Sequence, residues 1–112
     1  MLTYTLVVFA IAALGGLVLA AHVLRDKFAP WALSVLHAGL GATGLIMLLI
    51  MLLEGNGPQR LLISFGLFVV AALGGFFLAS FHARKQLPPK AVVVIHAGVA
   101  VVAFLLLLSL VV

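Results

Sequence analysis

The 112-residue chain contains no cysteine and only two acidic residues. The absence of cysteine excludes disulfide bonds, thiolate metal sites, iron–sulfur clusters and covalently attached c-type haem. Asp26 and Glu54 both lie outside the long apolar runs, which excludes a buried site for hard cations, because these prefer carboxylate oxygens. The six Lys and Arg residues are too few, and too close to the ends of those runs, to indicate nucleic-acid binding.

Apolar residues, by contrast, make up 67% of the chain, and the mean hydropathy is +1.48. A soluble domain of this size has too little interior to bury so much apolar surface. Four uncharged runs, at 2–24, 31–53, 61–83 and 91–112, are each long enough for the roughly 20 residues of a spanning helix. The connectors at 25–30, 54–60 and 84–90 are short, which forces neighbouring helices to run antiparallel. We therefore expect a single all-α domain over 1–112, a transmembrane antiparallel four-helix bundle in contact with the lipid bilayer.

The basic residues predict how the bundle is oriented. Five of the six lie in the first and third connectors: Arg25, Lys27, Arg84, Lys85 and Lys90. The positive-inside rule then predicts that connectors 25–30 and 84–90 are cytoplasmic and that both termini are extracytoplasmic. No basic segment precedes the first apolar run, so we expect a spanning helix there rather than a signal peptide. The expected location is a bacterial inner membrane.

The chain also repeats itself at a spacing of 59 residues. This spacing aligns the sequence AALGG at 12–16 with AALGG at 71–75, and it aligns His37-Ala38-Gly39 with His96-Ala97-Gly98. The two halves, 1–53 and 60–112, therefore predict two tandem helical hairpins in parallel orientation, related by a pseudo-two-fold axis along the membrane normal. His37 and His96 are expected at matching depths on opposite sides of that axis.

Four histidines lie in the apolar runs, all towards the first and third connectors: His22, His37, His82 and His96. The helix rise places His37 and His96 about 13 Å from the connector centres, and His22 and His82 about 8–9 Å. Ionisable residues at such depths are costly and usually face the bundle interior with a partner. His22 and His82 depart from the 59-residue register by one position, so they cannot be exact symmetry mates.

Neutral imidazoles in an apolar bundle without buried acids favour haem ligation. Zinc or copper fits less well, because a buried dication without anions is expensive. Arg25 and Arg84 at the water boundary would meet the haem propionates. Small residues share the histidine-bearing faces and leave space for a flat cofactor: Gly15, Gly41, Gly44 and Gly75. We expect one haem b on His37 and His96, or two haems that use all four histidines as iron ligands, the second arrangement being preferred.

An antiparallel transmembrane bundle with four histidines resembles the small b-type membrane cytochromes, including the haem-bearing anchor subunits of respiratory enzymes. The resemblance covers the whole chain as architecture. It implies bis-histidine haem ligation and electron transport, by a carrier or subunit more than by a self-contained enzyme. It further implies a quinone or a redox protein as partner, and a homo-oligomer or a larger membrane complex.

Two other functions remain open at this point. A small transporter or channel subunit would explain the size and the duplication, but buried acids are missing. A non-catalytic assembly subunit would use its histidines only for hydrogen bonds between helices, with Ser34, Ser80 and Thr43 as available partners. In that case the small residues would serve close helix packing.

Overall fold

The computed structural model describes residues 1–55 and 57–112, so Asn56 of the predicted second connector lies outside the described residues. The described part of the chain is all-helical and contains no strand. Its four helices are α1 (Leu2–Leu24), α2 (Trp31–Leu53), α3 (Gln59–Ala83) and α4 (Lys90–Leu108). All four are long and apolar enough to cross a membrane, which is consistent with an integral membrane protein.

The helix bounds differ from the predicted runs only at α3 and α4. Helices α2, α3 and α4 each begin directly after a proline, and the proline before α3 is Pro58, so this helix starts two residues before its uncharged run. A proline is tolerated there because the first N–H groups of a helix have no partner within the helix. Helix α4 ends at Leu108 rather than at residue 112. Beyond Leu108 the N–H groups of Leu110 and Val111 donate to the carbonyls three residues earlier, which is the hydrogen-bond pattern of a 3₁₀ turn.

The helices form an antiparallel bundle about 42 Å long, a length that matches a bilayer with its headgroups. Helix α1 packs on α2 and α4, and α3 packs on the same two neighbours, so α1 faces α3 across one diagonal and α2 faces α4 across the other. The predicted four-helix bundle is therefore confirmed. The internal repeat stays a prediction.

We divide the bundle into a termini half, formed by 2–12, 43–53, 59–71 and 100–108, and a histidine half, formed by 13–24, 31–42, 72–83 and 90–99. In the termini half, the rings of Phe9 and Phe68 stack across the α1–α3 diagonal at 3.9 Å between centroids. The largest fully buried side chains lie in this half: Thr5, Leu48, Leu61, Ser64 and Leu107. The continuous apolar core thus sits at the end that carries both chain termini.

Helices α1 and α3 end in the same way beside the histidine half. The N–H of Lys27 donates to the carbonyl of His22, and the N–H of Gln86 donates to that of Phe81. The residues directly before these two donors, Asp26 and Lys85, adopt left-handed backbone angles, with φ of 58° and 57°. These bonds satisfy carbonyls that a helix end would otherwise leave unpaired.

Candidate functional site

His37 and His96 are each anchored to the backbone of the preceding helix. Nδ1 of His37 lies 2.8 Å from the carbonyl oxygen of Ala12, and Nδ1 of His96 lies 2.7 Å from that of Ala71. A carbonyl oxygen only accepts, so both Nδ1 atoms carry the proton and donate. The hydrogen bonds therefore fix one tautomer in each ring, with a lone pair on Nε2.

The two anchored rings meet across the α2–α4 diagonal. Their centroids lie 6.2 Å apart, and their planes are nearly perpendicular, at 84°. Both side chains are half-buried, and neither Nε2 has a hydrogen-bond partner among the described residues. Every fully buried side-chain nitrogen of the described residues has a hydrogen-bond partner, so neither of these Nε2 atoms is fully buried. The site therefore presents two neighbouring rings, each with an Nε2 that has no hydrogen-bond partner among the described residues.

The glycine doublets of α1 and α3 make room for these two imidazoles. A Cβ added at Gly16 would lie 2.8 Å from Cε1 of His37, and one added at Gly75 would lie 3.2 Å from Cε1 of His96. Gly15 and Gly74 face the Cβ atoms of the same histidines at 3.9 and 3.8 Å. The doublets thus let the backbones of α1 and α3 approach the rings, so Gly15 and Gly75 accommodate the deep histidines of their own hairpins.

The other two expected glycines, on α2, have different surroundings. A Cβ added at Gly41 would meet nothing within 4 Å, so the position is open. A Cβ added at Gly44 would lie 2.5 Å from the ring of Phe9. Gly44 therefore makes room for the Phe9–Phe68 stack in the termini half and does not border the histidine pair.

His22 and His82 lie apart from the pair and from each other. Nδ1 of His22 lies 2.8 Å from the carbonyl of Val18 in its own helix, beside an open groove that Arg25 and Lys27 also line. Nδ1 of His82 lies 2.7 Å from Oγ of Ser34 on α2. In the described chain, no three His, Asp or Glu side chains converge as a metal-binding group.

The cations at the histidine end are exposed. Arg84 donates from Nε to the carbonyl of Ser80 at 3.1 Å, and its guanidinium lies 4.7 Å above the ring of Phe81. Lys90 pairs with Asp26 at 3.0 Å. Arg25 lies at the end of α1, also exposed. Positive charge therefore surrounds this end, and Asp26, the acid of the first connector, is already paired.

Some of the residues that shape the site had no sequence motif of their own. The carbonyls of Ala12 and Ala71, together with Gly16 and Gly74, belong to the repeated AALGG segment, and the 59-residue spacing could have identified them. Of the proposed hydroxyl partners, Ser34 does meet a histidine, whereas Thr43 and Ser80 bond to carbonyls of their own helices. Comparison with known proteins finds no family, curated protein or solved structure that matches this chain.

Proposed function

We propose that this protein binds one b-type haem between His37 and His96 and carries electrons in the membrane. The observation that carries the proposal is the pair of rings whose Nδ1–H groups are fixed by carbonyls and whose Nε2 lone pairs are unused. A lone pair left without a donor in an apolar bundle is costly, and a metal satisfies it directly. Donation from the other ring nitrogen is the usual support for a metal-bound histidine.

The separation of the rings suits two imidazoles that would hold one metal ion between them. A bond from an imidazole nitrogen to a first-row metal is about 2 Å long, and the nitrogen lies about 1 Å from the ring centre, so two imidazoles that face one metal ion would hold their centroids about 6 Å apart. The observed separation is 6.2 Å. Two imidazoles alone leave most coordination positions of a metal unfilled, and a porphyrin supplies four nitrogens without needing further side chains.

The surroundings of the pair also suit a haem. The histidine half holds none of the largest fully buried side chains, and it carries no acid within its helices. Arg25 and Arg84 are exposed at its end, where they would hold the propionates. The bound haem would supply reversible one-electron chemistry, while the residues of the chain hold the iron, exclude water and fix the ligand tautomers.

The geometry supports one haem better than two. A second arrangement would pair each deep histidine with a shallow one, yet His22 bonds to its own helix and His82 bonds to Ser34. His37 and His96 already face each other. We therefore assign the iron to this pair and give His22 and His82 other roles.

Orientation and partners follow from the same proposal. We place the histidine end on the cytoplasmic side of a bacterial inner membrane and both termini outside, on the strength of the basic connectors. The electron partner would be a quinone or a redox protein, and the chain would work as a homo-oligomer or within a larger membrane complex. The alternative with a specific observation in its favour is an assembly subunit, because His37 and His96 do bond to neighbouring helices.

The test is the visible spectrum of protein purified from haem-supplied cells. We expect a low-spin, six-coordinate b-type spectrum at one haem per chain. The perpendicular rings further predict a strongly anisotropic low-spin electron paramagnetic resonance signal. His37→Ala or His96→Ala should abolish six-coordinate binding, and the matched control His22→Ala should leave haem content and spin state unchanged.

A colourless, folded preparation would reject the haem and favour the assembly subunit. A high-spin spectrum would reject ligation by two histidines. Loss of haem in His22→Ala as well would restore the four-ligand arrangement.

A further inference from the structure

The two hairpins differ most at one corner of the histidine half. Where α2 packs on α3, four aromatic or polar side chains come together: Phe28, Trp31, Ser34 and His82. The 59-residue spacing puts three aliphatic side chains and one lysine at the equivalent positions: Leu87, Val93, Val23 and Lys90. The equivalent corner, where α4 packs on α1, instead holds the Lys90–Asp26 ion pair. The polar corner is therefore present in a single copy.

His82 is the centre of this corner. Its Nδ1 lies 2.7 Å from Oγ of Ser34, the ring of Trp31 meets it edge-on at 4.7 Å between centroids, and the ring of Phe28 lies 6.3 Å away. Trp31 and Phe28 are half-exposed, and His82 is half-buried. Within the described residues, Nε2 of His82 has no hydrogen-bond partner. One polar ring atom is thus available at the edge of an aromatic surface.

We propose that this corner binds the ring of a lipid-soluble quinone. Such a ring is planar, uncharged and carries carbonyl oxygens, and its tail stays in the hydrocarbon. Trp31 and Phe28 supply aromatic contact, and a ring nitrogen of His82 supplies the hydrogen bond. Among the residues that the structure describes, no free acid lies at the corner to attract a cationic ligand, and the guanidinium of Arg84 lies over Phe81 instead.

The Ser34–His82 pair suits both forms of a quinone. A hydroxyl both donates and accepts. When Ser34 donates to Nδ1, Nε2 carries the proton and donates to a quinone carbonyl. When Nδ1 donates to Ser34, Nε2 has a lone pair and accepts from a quinol hydroxyl. A carbonyl partner, as at His37, would allow only one of these tautomers.

The corner also lies beside the proposed haem site. Ser34 and His37 are three residues apart on α2, so they share a helix face and differ by about 4.5 Å along the axis. The role of the bound quinone as an electron partner of the haem rests on the proposed function. The binding of the quinone itself requires only the residues of the corner.

Trp31 makes the binding measurable, because it is the only tryptophan in the chain. We would titrate the full-length protein, in phospholipid nanodiscs, with decylubiquinone and follow tryptophan fluorescence. Binding at the corner should quench the emission saturably, whereas collisions in the lipid do not saturate. Ser34→Val and His82→Val introduce the residue found at the equivalent position, and each should weaken binding about tenfold through the loss of a hydrogen bond. The matched control His22→Ala should bind as the unchanged protein does.

Haem content, read from absorbance in the same samples, separates the two proposals. Weaker quinone binding at unchanged haem content supports the corner. Quenching that never saturates, or that is equal in all variants, overturns it, and displacement of the quinone by added anionic phospholipid would assign the corner to headgroups. Saturable binding to protein that takes up no haem would keep the corner and reject the proposed function.

Discussion

The termini half and the histidine half of the bundle are built from the same four helices but pack differently. In the termini half, Phe9 and Phe68 stack across the centre, and Leu48 and Leu107 are fully buried. In the histidine half, the centre is occupied by two imidazoles that keep an unused nitrogen each. Apolar packing fills the centre of the first half, whereas in the second half neither Nε2 atom has a hydrogen-bond partner among the described residues. The first half therefore supplies the apolar core, and the second half is where the proposed haem would bind.

The difference also concerns how closely the two hairpins match. Phe9 and Phe68, Leu48 and Leu107, and His37 and His96 all stand 59 residues apart. The two phenylalanines contact each other, as do the two histidines, and both leucines are fully buried. Towards the connectors the match fails, as Ser34 and Val93 illustrate. The residues near the centre face a partner across the bundle diagonal, so each change there affects both hairpins. The corners have separate neighbours and can differ.

The largest effect should come from breaking the core of the termini half. Leu48→Ala removes a fully buried side chain, and the lost dispersion contacts and the cavity should cost about 2 kcal/mol of unfolding free energy. Unfolding in detergent–denaturant mixtures, followed by circular dichroism, measures this loss. The spectrum of bound haem should not change. The neighbouring variant Leu49→Ala, at a position 42% exposed, should cost less than about 0.5 kcal/mol. Equal losses for the two variants would contradict the assignment of Leu48 to the stabilising core of the termini half.

Much of this division was predictable from the sequence, but the packing of single residues was not. Uncharged runs and prolines predict the four helices, since length and polarity alone decide what can span a bilayer. The recurrence of His37 at His96 predicts the facing pair. Gly44 was expected to border the haem, but the ring of Phe9 lies against it. The rotation and tilt of a helix depend on how side chains fit across the bundle, and the spacing of residues in the sequence does not give this fit. His82 and Ser34 meet across a helix interface that no spacing within one helix encodes.

A smaller effect should follow from disturbing the histidine half alone. In Gly16→Ala, the new methyl group would lie 2.8 Å from Cε1 of His37, so the ring must shift and its bond to Ala12 must weaken. We expect a loss of about 1 kcal/mol of stability, with haem affinity lowered about tenfold. Haem titration of the purified protein measures the second quantity.

Two matched variants sharpen that experiment. Gly75→Ala meets His96 at 3.2 Å and should show a weaker version of the same defect. Gly41→Ala enters open space and should bind haem normally. If Gly41→Ala lowered haem affinity as much as Gly16→Ala, general disturbance of the helices would explain the loss, and Gly16 would have no role in positioning His37.

The smallest effect concerns the ends of α1 and α3, and it should stabilise the protein. Lys85 adopts a φ of 57°, which costs a side chain about 1 kcal/mol but costs glycine nothing. Lys85→Gly should therefore raise the unfolding free energy by about 0.5 kcal/mol, the rest being lost to backbone entropy. Asp26→Gly relieves the same conformation but removes the exposed ion pair with Lys90, so its gain should be smaller. Denaturant unfolding of both variants and of the unchanged protein measures these two changes in unfolding free energy. A lower unfolding free energy in Lys85→Gly would contradict the prediction. Because both residues lie outside the bundle, neither change should alter the haem spectrum, which keeps helix-end strain separate from ligand binding within the histidine half.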